Sequence, residues 1–379
     1  LLLGATGSIG DSVLSVIKQN SDSLNLYGIA AGKNTEKAAA IIKNFSPKNI
    51  FIEDIAAYDL ISSSFPNQNI LNSDQELLDL ISDHKVDIVV SAIAGFAGLK
   101  ASLMAVNAGM IVMIVNKESI VAAGDILMPL AKAKGAQIIP IDSEHNAIFQ
   151  CLPADKSTTD VSKIIITASG GPFLDIPLSK LNNISPKDAL KHPNWEMGSK
   201  ISIDSATLVN KCLELIEAKY LFDLNEKFFK LVVHPQSIVH SIVTYIDGSS
   251  ICQMSNPDMR VPISHALSGI NRLPINFLEI DFSSLNLSFQ DFPEDRAHVV
   301  NIAREICNSG GSSGTVFNAA NEIAVSSFLK DKIKFSQIYD VIYRTFDLMP
   351  LSNNLSIEAI YEIDNQSRRE AEKVVKSLT

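Results

Sequence analysis

The chain has 379 residues, 46% of them hydrophobic and 20% charged, with a net charge of −10. That length implies two or three domains, and no apolar run is long enough to cross a bilayer. No basic stripe is present to displace counterions from a nucleic acid, so an anionic substrate would need a local pocket or a metal.

Leu1 to Gly10, L-L-L-G-A-T-G-S-I-G, reads as a strand, a glycine turn and the start of a helix over Asp11–Ile17. The opening apolar run suggests that earlier residues are missing, so the lack of a targeting peptide carries little weight. The glycines are spaced Gly4-x-x-Gly7-x-x-Gly10 rather than G-x-G-x-x-G. Such a turn lets the backbone approach a pyrophosphate at free helix amides, and it serves equally as a tight structural turn. The second strand spans Leu26–Ala31. Where an NAD-binding fold places an acid for the ribose hydroxyls, this chain has Gly32-Lys33-Asn34. That favours NADPH over NADH, the alternative being a surface lysine in a turn.

Asn49–Ile52, Val86–Ile93, Met110–Val115 and Gln137–Ile141 are apolar enough for parallel strands buried on both faces. The last two end in polar tips, Asn116-Lys117-Glu118-Ser119 and Asp142-Ser143-Glu144-His145, at the carboxyl ends where α/β sheets bind ligands. On extended backbone Asp142 and Glu144 share a face and suit Mg²⁺ or Mn²⁺. The same residues also suit a capping cluster for a helix from Asn146.

Lys163–Thr167 is a further strand, and the Ser169-Gly170-Gly171 turn after it offers a hydroxyl and close amides to a phosphate. Leu174–Lys191 is polar and Pro-interrupted, a mobile segment leading to His192–Glu217. Trp195, the single tryptophan, is either core filler or a lid aromatic. Asp204 or Ser205 then caps a helix on which Thr207, Asn210, Lys211, Glu214 and Glu217 form a polar stripe. A solvated face explains the stripe, and so does a site for an anionic, metal-chelated substrate.

Leu231–Tyr245 and Ser250–Met254 read as an antiparallel hairpin turning at Asp247-Gly248, a surface suited to dimerisation. His234 and His240 within it read as structural. Residues 268–293 show little periodicity and read as a linker. From Glu294 the chain is helical, with a break at Ser309–Gly314. The cysteines Cys151, Cys212, Cys252 and Cys307 form no C-x-x-C and read as reduced, buried thiols.

Together, G-A-T-G-S-I-G, A-G-K-N, N-K-E-S, D-S-E-H, S-G-G-P-F, H-P-N-W-x-M-G-x-K-I-S-I-D-S-A-T-x-x-N-K-x-L-E and H-P-Q-S resemble the 1-deoxy-D-xylulose 5-phosphate reductoisomerases nearly end to end. Ala5 stands where serine is common in that family. The resemblance implies an α/β protein: an N-terminal Rossmann-like parallel sheet, an α+β catalytic domain with a lid loop, and a C-terminal helical domain. It divides the chain into an NADPH-binding domain (1–142), a catalytic, metal and dimerisation domain (143–268, lid about 170–199), a linker (269–293) and helices (294–379).

By the same resemblance Asp142, Glu144 and Glu214 hold Mn²⁺ or Mg²⁺, and Glu217 supports them from one turn along. Lys117, Ser143, Glu144, Ser169, His192, Ser205, Asn210, Lys211 and Glu214 contact the phosphorylated sugar, with Lys117, Glu144 and Glu214 catalytic. Thr6, Gly7, Ser8, Ile9, Gly32, Lys33, Asn34, Asn116, Glu118 and Gly198 contact NADPH. The implied activity rearranges 1-deoxy-D-xylulose 5-phosphate by retro-aldol and aldol steps and reduces the product. A homodimer in a bacterial cytoplasm is expected, although a plastid protein would look similar. An ordinary NADPH-dependent dehydrogenase or a non-catalytic NADPH-binding regulator explains the N-terminal half, but not carboxylates converging from a strand and a helix.

Overall fold

The structure is a computed structural model that describes residues 1–195, 197–269, 271–353 and 355–378. It separates into two compact units: Leu1–Asn116, Leu127–Asp142 and Met259–Phe277 in the first, and Lys117–Ile126, Ser143–Asp258 and Leu278–Thr379 in the second.

The first unit alternates strands and helices. It runs β1 (Leu2–Leu3), α1 (Ser8–Gln19), β2 (Gly28–Ala31), α2 (Thr35–Phe45), β3 (Asn49–Ile52), α3 (Ile55–Ser64) and β4 (Asn69–Leu71). It continues through α4 (Asp74–Ile81), β5 (Ile88–Ser91), α5 (Gly98–Asn107), β6 (Ile111–Ile114) and, beyond α6 (Lys117–Lys134), β7 (Gln137–Pro140). The strands pair in parallel in the order β4-β3-β2-β1-β5-β6-β7. Ile29, Ile50, Val89 and Val112 are fully buried, which is why these strands read as continuous apolar runs rather than alternating ones. The strand order reverses between β1 and β5, the switch point beside which such sheets bind ligands.

The glycine turn lies at that switch point. Gly4 has φ +80°, and a Cβ there would lie 2.5 Å from the Ala92 carbonyl oxygen. Gly10 is closed differently: its Cβ would meet the Ala5 carbonyl oxygen at 2.3 Å. Gly7 stands at the N-cap of α1 without a side-chain cap, so the first-turn amides face outward for an anion.

The second unit holds α7 (Ser143–Cys151), β8 (Val161–Ala168), α8 (Pro186–Ala189), α9 (Ser199–Ala206), α10 (Val209–Phe222), β9 (Phe229–Val233), β10 (Val239–Tyr245) and β11 (Ser250–Met254). Helix α11 (Arg260–Ser268) returns to the first unit and packs on α1. The second unit resumes with β12 (Gln290–Asp291), α12 (Ala297–Ser309), α13 (Ser313–Leu329), α14 (Gln337–Leu348) and α15 (Ile357–Leu378). Its sheet has the order β11-β10-β8-β9-β12; β8 and β9 are parallel and the other pairs antiparallel. Helix α10 is the core of this unit, with Val209, Cys212, Leu213, Leu215 and Ile216 all fully buried.

Four expectations need correction. Asp204 and Ser205 do not cap the helix of the polar stripe, because they lie inside α9. The chain breaks after Ala206, Leu208 adopts the left-handed region at φ 61°, and α10 begins at Val209. The Thr207 hydroxyl bonds back to the Ile203 and Asp204 carbonyl oxygens at 3.0 and 3.1 Å, closing α9 there. Likewise, Glu144 is not on extended backbone: β7 ends at Pro140 and helix α7 already starts at Ser143, with Glu144 in its first turn. Leu231–Tyr245 is not one hairpin arm, since β9 joins β8 in parallel and only β10 turns back onto β11. Finally, Cys252 is exposed on β11, whereas Cys151, Cys212 and Cys307 are buried; burial pushes the Cys151 thiol up to about 11 and Cys307 to about 12. No disulfide is present among the described residues.

Because the Gly10 Cα faces a carbonyl oxygen, Gly10→Ala is expected to destabilise the fold by about 1–3 kcal/mol. Gly32→Ala, with nothing within 4 Å of the added methyl, is expected to be close to neutral. Thermal unfolding of the two variants beside the wild type checks both.

Candidate active site

The polar stripe of α10 points inward. Lys211, Glu214 and Glu217 are 5%, 1% and 0% exposed, so a solvated face does not describe it. Buried charges need partners, and other elements supply them. Lys117, the first residue of α6, reaches Asn210 Oδ1 at 2.9 Å and Glu214 Oε1 at 3.3 Å through its ammonium. The Lys211 ammonium binds Glu214 Oε2 at 2.6 Å and also Glu144 Oε1, so it bridges two carboxylates. The Asn210 amide donates to Glu214 Oε1, and the Ser143 hydroxyl to Glu144 Oε2 at 2.5 Å. Carboxylate oxygens of Glu144 and Glu214 lie within 4.8 Å of each other. Two ammoniums and two carboxylates thus meet in one buried spot with their charges balanced.

Behind this cluster, His145 ties α7 to α10. Its Nε2 is 2.9 Å from the Glu214 carbonyl oxygen and its Nδ1 is 3.3 Å from Glu217 Oε2. A carbonyl only accepts, so Nε2 carries a proton. Glu217 therefore abuts the cluster through His145. Ser241 holds α7 from the sheet, its hydroxyl donating to the Glu144 carbonyl oxygen at 3.0 Å.

A second group forms around the Ser169 turn. His192 Nδ1 accepts the Asn194 and Trp195 amides at 3.1 and 3.0 Å, so the ring proton sits on Nε2, 2.9 Å from the Ser169 hydroxyl. Burial, reinforced by the Lys211 ammonium, lowers the His192 pKa to about 4. Gly171, at φ +69°, lets this turn lie on the α9 backbone: a Cβ would be 2.7 Å from the Ser205 carbonyl oxygen. Trp195 is not core filler. It is partly exposed, with its ring 5.9 Å from that of His240, and Asn194 is pinned to the Pro235 carbonyl oxygen at 2.6 Å. Glu196, inside the expected lid, lies outside the described residues. His234 and His240 hold backbone, as expected: His234 Nε2 accepts the Ile238 and Val239 amides, and His240 Nε2 faces Ser255.

Family models for 1-deoxy-D-xylulose 5-phosphate reductoisomerase match residues 1–124, and models for its C-terminal domains match 138–222 and 254–370. The reductoisomerase of Acinetobacter baylyi is 43% identical over 390 residues, covering 100% of this chain and 98% of the relative. The chain belongs to the 1-deoxy-D-xylulose 5-phosphate reductoisomerase family. The enzyme of Shewanella frigidimarina is likewise 43% identical, over 100% of this chain and 99% of the relative. A crystal structure of the reductoisomerase in complex with NADPH, fosmidomycin and magnesium superposes with a TM-score of 0.93 at 40% identity, covering 100% and 98% of the two chains. The Zymomonas mobilis reductoisomerase in complex with NADPH gives 0.92 at 39%, with the same coverage.

Of the residues singled out from sequence, Lys117, Ser143, Glu144, Asn210, Lys211 and Glu214 converge in the second unit, beside the Ser169–His192 pair. Ser205 lies on α9, where its carbonyl faces Gly171. Asp142 ends the first unit, one peptide bond before Ser143. Thr6, Gly7, Ser8 and Ile9 form the open start of α1. Gly32 is partly exposed and Lys33 exposed in the next βα turn, Lys33 3.9 Å from Asp54, and Asn34 caps α2. The Asn116 amide donates to the Gly95 carbonyl oxygen at 2.7 Å. Gly198 is the N-cap of α9 with open space around it. Glu118, by contrast, is buried in an ion pair with Lys200 at 2.6 Å. Sequence reasoning gave no role to His145 or Lys200, although both stood inside quoted motifs.

A neutral His192 yields a pH prediction. Its folded pKa lies below the usual 6.5, so the unfolded chain takes the proton first, and the stability due to His192 is complete above pH 6.5 and declines as pH falls toward 4. Nitrogen-15 NMR of labelled histidine is expected to show a neutral Nε2–H ring from pH 7 down to pH 5. His192→Gln is expected to flatten the unfolding-versus-pH curve over that interval.

Proposed function

We infer that this chain converts 1-deoxy-D-xylulose 5-phosphate to 2-C-methyl-D-erythritol 4-phosphate, an NADPH- and divalent-metal-dependent step of non-mevalonate isoprenoid biosynthesis. The observation that carries the reading is the buried, charge-balanced set of Lys117, Glu144, Lys211 and Glu214 in a chain of this family. Solved relatives in complex with NADPH and magnesium support both cofactors.

Glu214, buried, and Glu144, partly buried, have close carboxylate oxygens that fit a hard divalent cation, and with Asp142 they would hold Mg²⁺ or Mn²⁺. When bound, the ion supplies a Lewis acid and a template for the substrate's oxygens. Lys117 sets its ammonium where negative charge develops on the substrate as the carbon skeleton breaks and rejoins. Asn210 and Glu214 hold that ammonium in place. Ser143, Ser169, His192, Ser205, Asn210 and Lys211 bind the phosphate and hydroxyls, and binding energy from these remote groups orients the reacting end. His192, kept neutral, donates through Nε2 without adding charge. Trp195 would exclude water from the reacting carbon.

NADPH supplies the hydride. Thr6, Gly7, Ser8 and Ile9 at the start of α1 would hold its pyrophosphate, Gly32, Lys33 and Asn34 its adenosine end, and Asn116, Glu118 and Gly198 would complete the contacts. Functionally, residues 1–142 bind cofactor, 143–268 carry the chemistry with a lid at about 170–199, 269–293 link, and 294–379 form the helical domain. The bacterial sources of the relatives favour a cytoplasmic enzyme, which fractionation of a native host would test.

The enzyme acts as a homodimer through the β10–β11 edge. In support, β11 is an edge strand with Ile251 49% exposed beside Ile246 at 72%. Sedimentation is expected to give twice the 41.1 kDa chain mass, and a monomer at that mass would remove the dimer.

The activity is tested by NADPH oxidation with 1-deoxy-D-xylulose 5-phosphate. Turnover is expected with Mg²⁺ or Mn²⁺ and lost with chelator, and Glu214→Gln is expected to lower kcat by about 100-fold or more. Turnover that survives chelator would remove the metal site. NADPH binding without turnover would leave a cofactor-binding regulator.

A further inference from the structure

The C-terminal region from Arg296 to Tyr339, in which the sequence shows no chemistry, holds three segments that bear site residues. The Arg296 guanidinium, 1% exposed, donates to the Phe173 and Ile176 carbonyl oxygens at 2.7 Å each, just beyond the Ser169 turn. The Tyr339 hydroxyl donates to the Thr207 carbonyl oxygen at 2.8 Å, at the break between α9 and α10. The Thr315 hydroxyl donates to the Ala122 carbonyl oxygen at 2.7 Å, and the Gly311 amide to Asp125 Oδ2 at 2.6 Å, both on α6. Ala122 precedes Ala123, whose φ −135° and ψ 19° break that helix. The first turn of α6, which carries Lys117, is thus a short piece without a continuous helix behind it.

That turn is held at its other end by Lys200. Its ammonium lies 2.6 Å from Glu118 Oε1 and 2.8 Å from Asp204 Oδ2, and Asp204 Oδ1 accepts the Asn321 amide of α13 at 2.8 Å. Asp204 is fully buried and Glu118 is 6% exposed. Lys200 is the first basic side chain after the expected lid and belongs to neither the metal set nor the substrate contacts. We propose that Lys200 is a positioning residue for Lys117: by clamping Glu118 to Asp204, and through Asp204 to Asn321, it fixes the rotation of the first turn of α6 and so the direction of the Lys117 side chain. Successive helical residues are 100° apart, so pinning Glu118 leaves Lys117 one direction, the one that reaches Asn210 and Glu214. Burial opposes the Lys200 charge, but Asp204 and Glu118 outweigh it and raise its pKa.

The proposal rests on the reductoisomerase reading, and a wild-type protein that fails to turn over the sugar phosphate sinks that reading rather than this clamp. Lys117 works on charge that develops during the reaction, so misplacing it lowers kcat more than it weakens binding. Lys200→Met is expected to lower kcat at least tenfold, with the KM for the sugar phosphate within threefold of wild type. Lys200→Arg, which keeps the charge, is expected to restore kcat to within threefold. Asn321→Ala, which leaves the ion pairs in place, is expected to give an intermediate loss of kcat at a similar KM, and it decides the matter if Lys200→Met does not fold. The clamp is overturned if kcat of the folded Lys200→Met, or of Asn321→Ala in its place, stays within twofold of wild type. It is also overturned if KM rises by as much as kcat falls, or if Arg fails to rescue.

Discussion

Helix α10 carries an ammonium and two carboxylates into an apolar core, and the second unit is arranged to meet them. Leaving one such charge without its partner costs about 3–5 kcal/mol, several times what a single exposed ion pair contributes. Lys117 from α6, Glu144 and His145 from α7, and Asn210 from α10 itself are therefore requirements of the fold as much as of the chemistry. The sheet beneath holds α7 through Ser241, and the C-terminal helices hold α6, α9 and the Ser169 turn. Each layer fixes the one that touches the charges.

This arrangement has a catalytic advantage. Groups that must be paired to be buried are already aimed before any ligand arrives, so little reorganisation is needed during reaction. The cluster also carries no net charge from its four principal members, so an added cation and an added anion enter it together more readily than either alone. That is the demand made by a sugar phosphate that binds with a divalent ion.

Much of this was readable in the chain, and the omissions have physical causes. Strand β3 was found at its observed ends because Asn49–Ile52 is a short apolar run buried on both faces. The polar tips of β6 and β7 were legible because polar residues directly after such a run are conspicuous. The stripe on α10 was legible as a stripe but not as buried, since periodicity is the same whether a face meets water or counter-charges. The break at Leu208 left no local sign. No glycine or proline marks it, and the hydroxyl that secures it, on Tyr339, comes from 132 residues away. The start of α7 at Ser143 was passed over because two carboxylates at alternate positions fit a strand equally well. Lys200 showed no role in the sequence, because its partner Glu118 is 82 positions away and its other partner, Asp204, is tied to Asn321, 117 positions further on.

The left-handed residue at position 208 also constrains how this chain can vary in length. Between Ser205 and Glu214 the backbone leaves one helix and enters another with no slack, since α9 closes on Thr207 and α10 opens at Val209. One residue gained or lost there would turn α10 by about 100° relative to α9. Lys211 and Glu214 would then leave Lys117 and Glu144 for the apolar side of the core. Substitution at Leu208 is a local matter of backbone strain, whereas an insertion beside it re-addresses every charged side chain downstream. In natural variation, this segment is therefore expected to keep its length even where its side chains change.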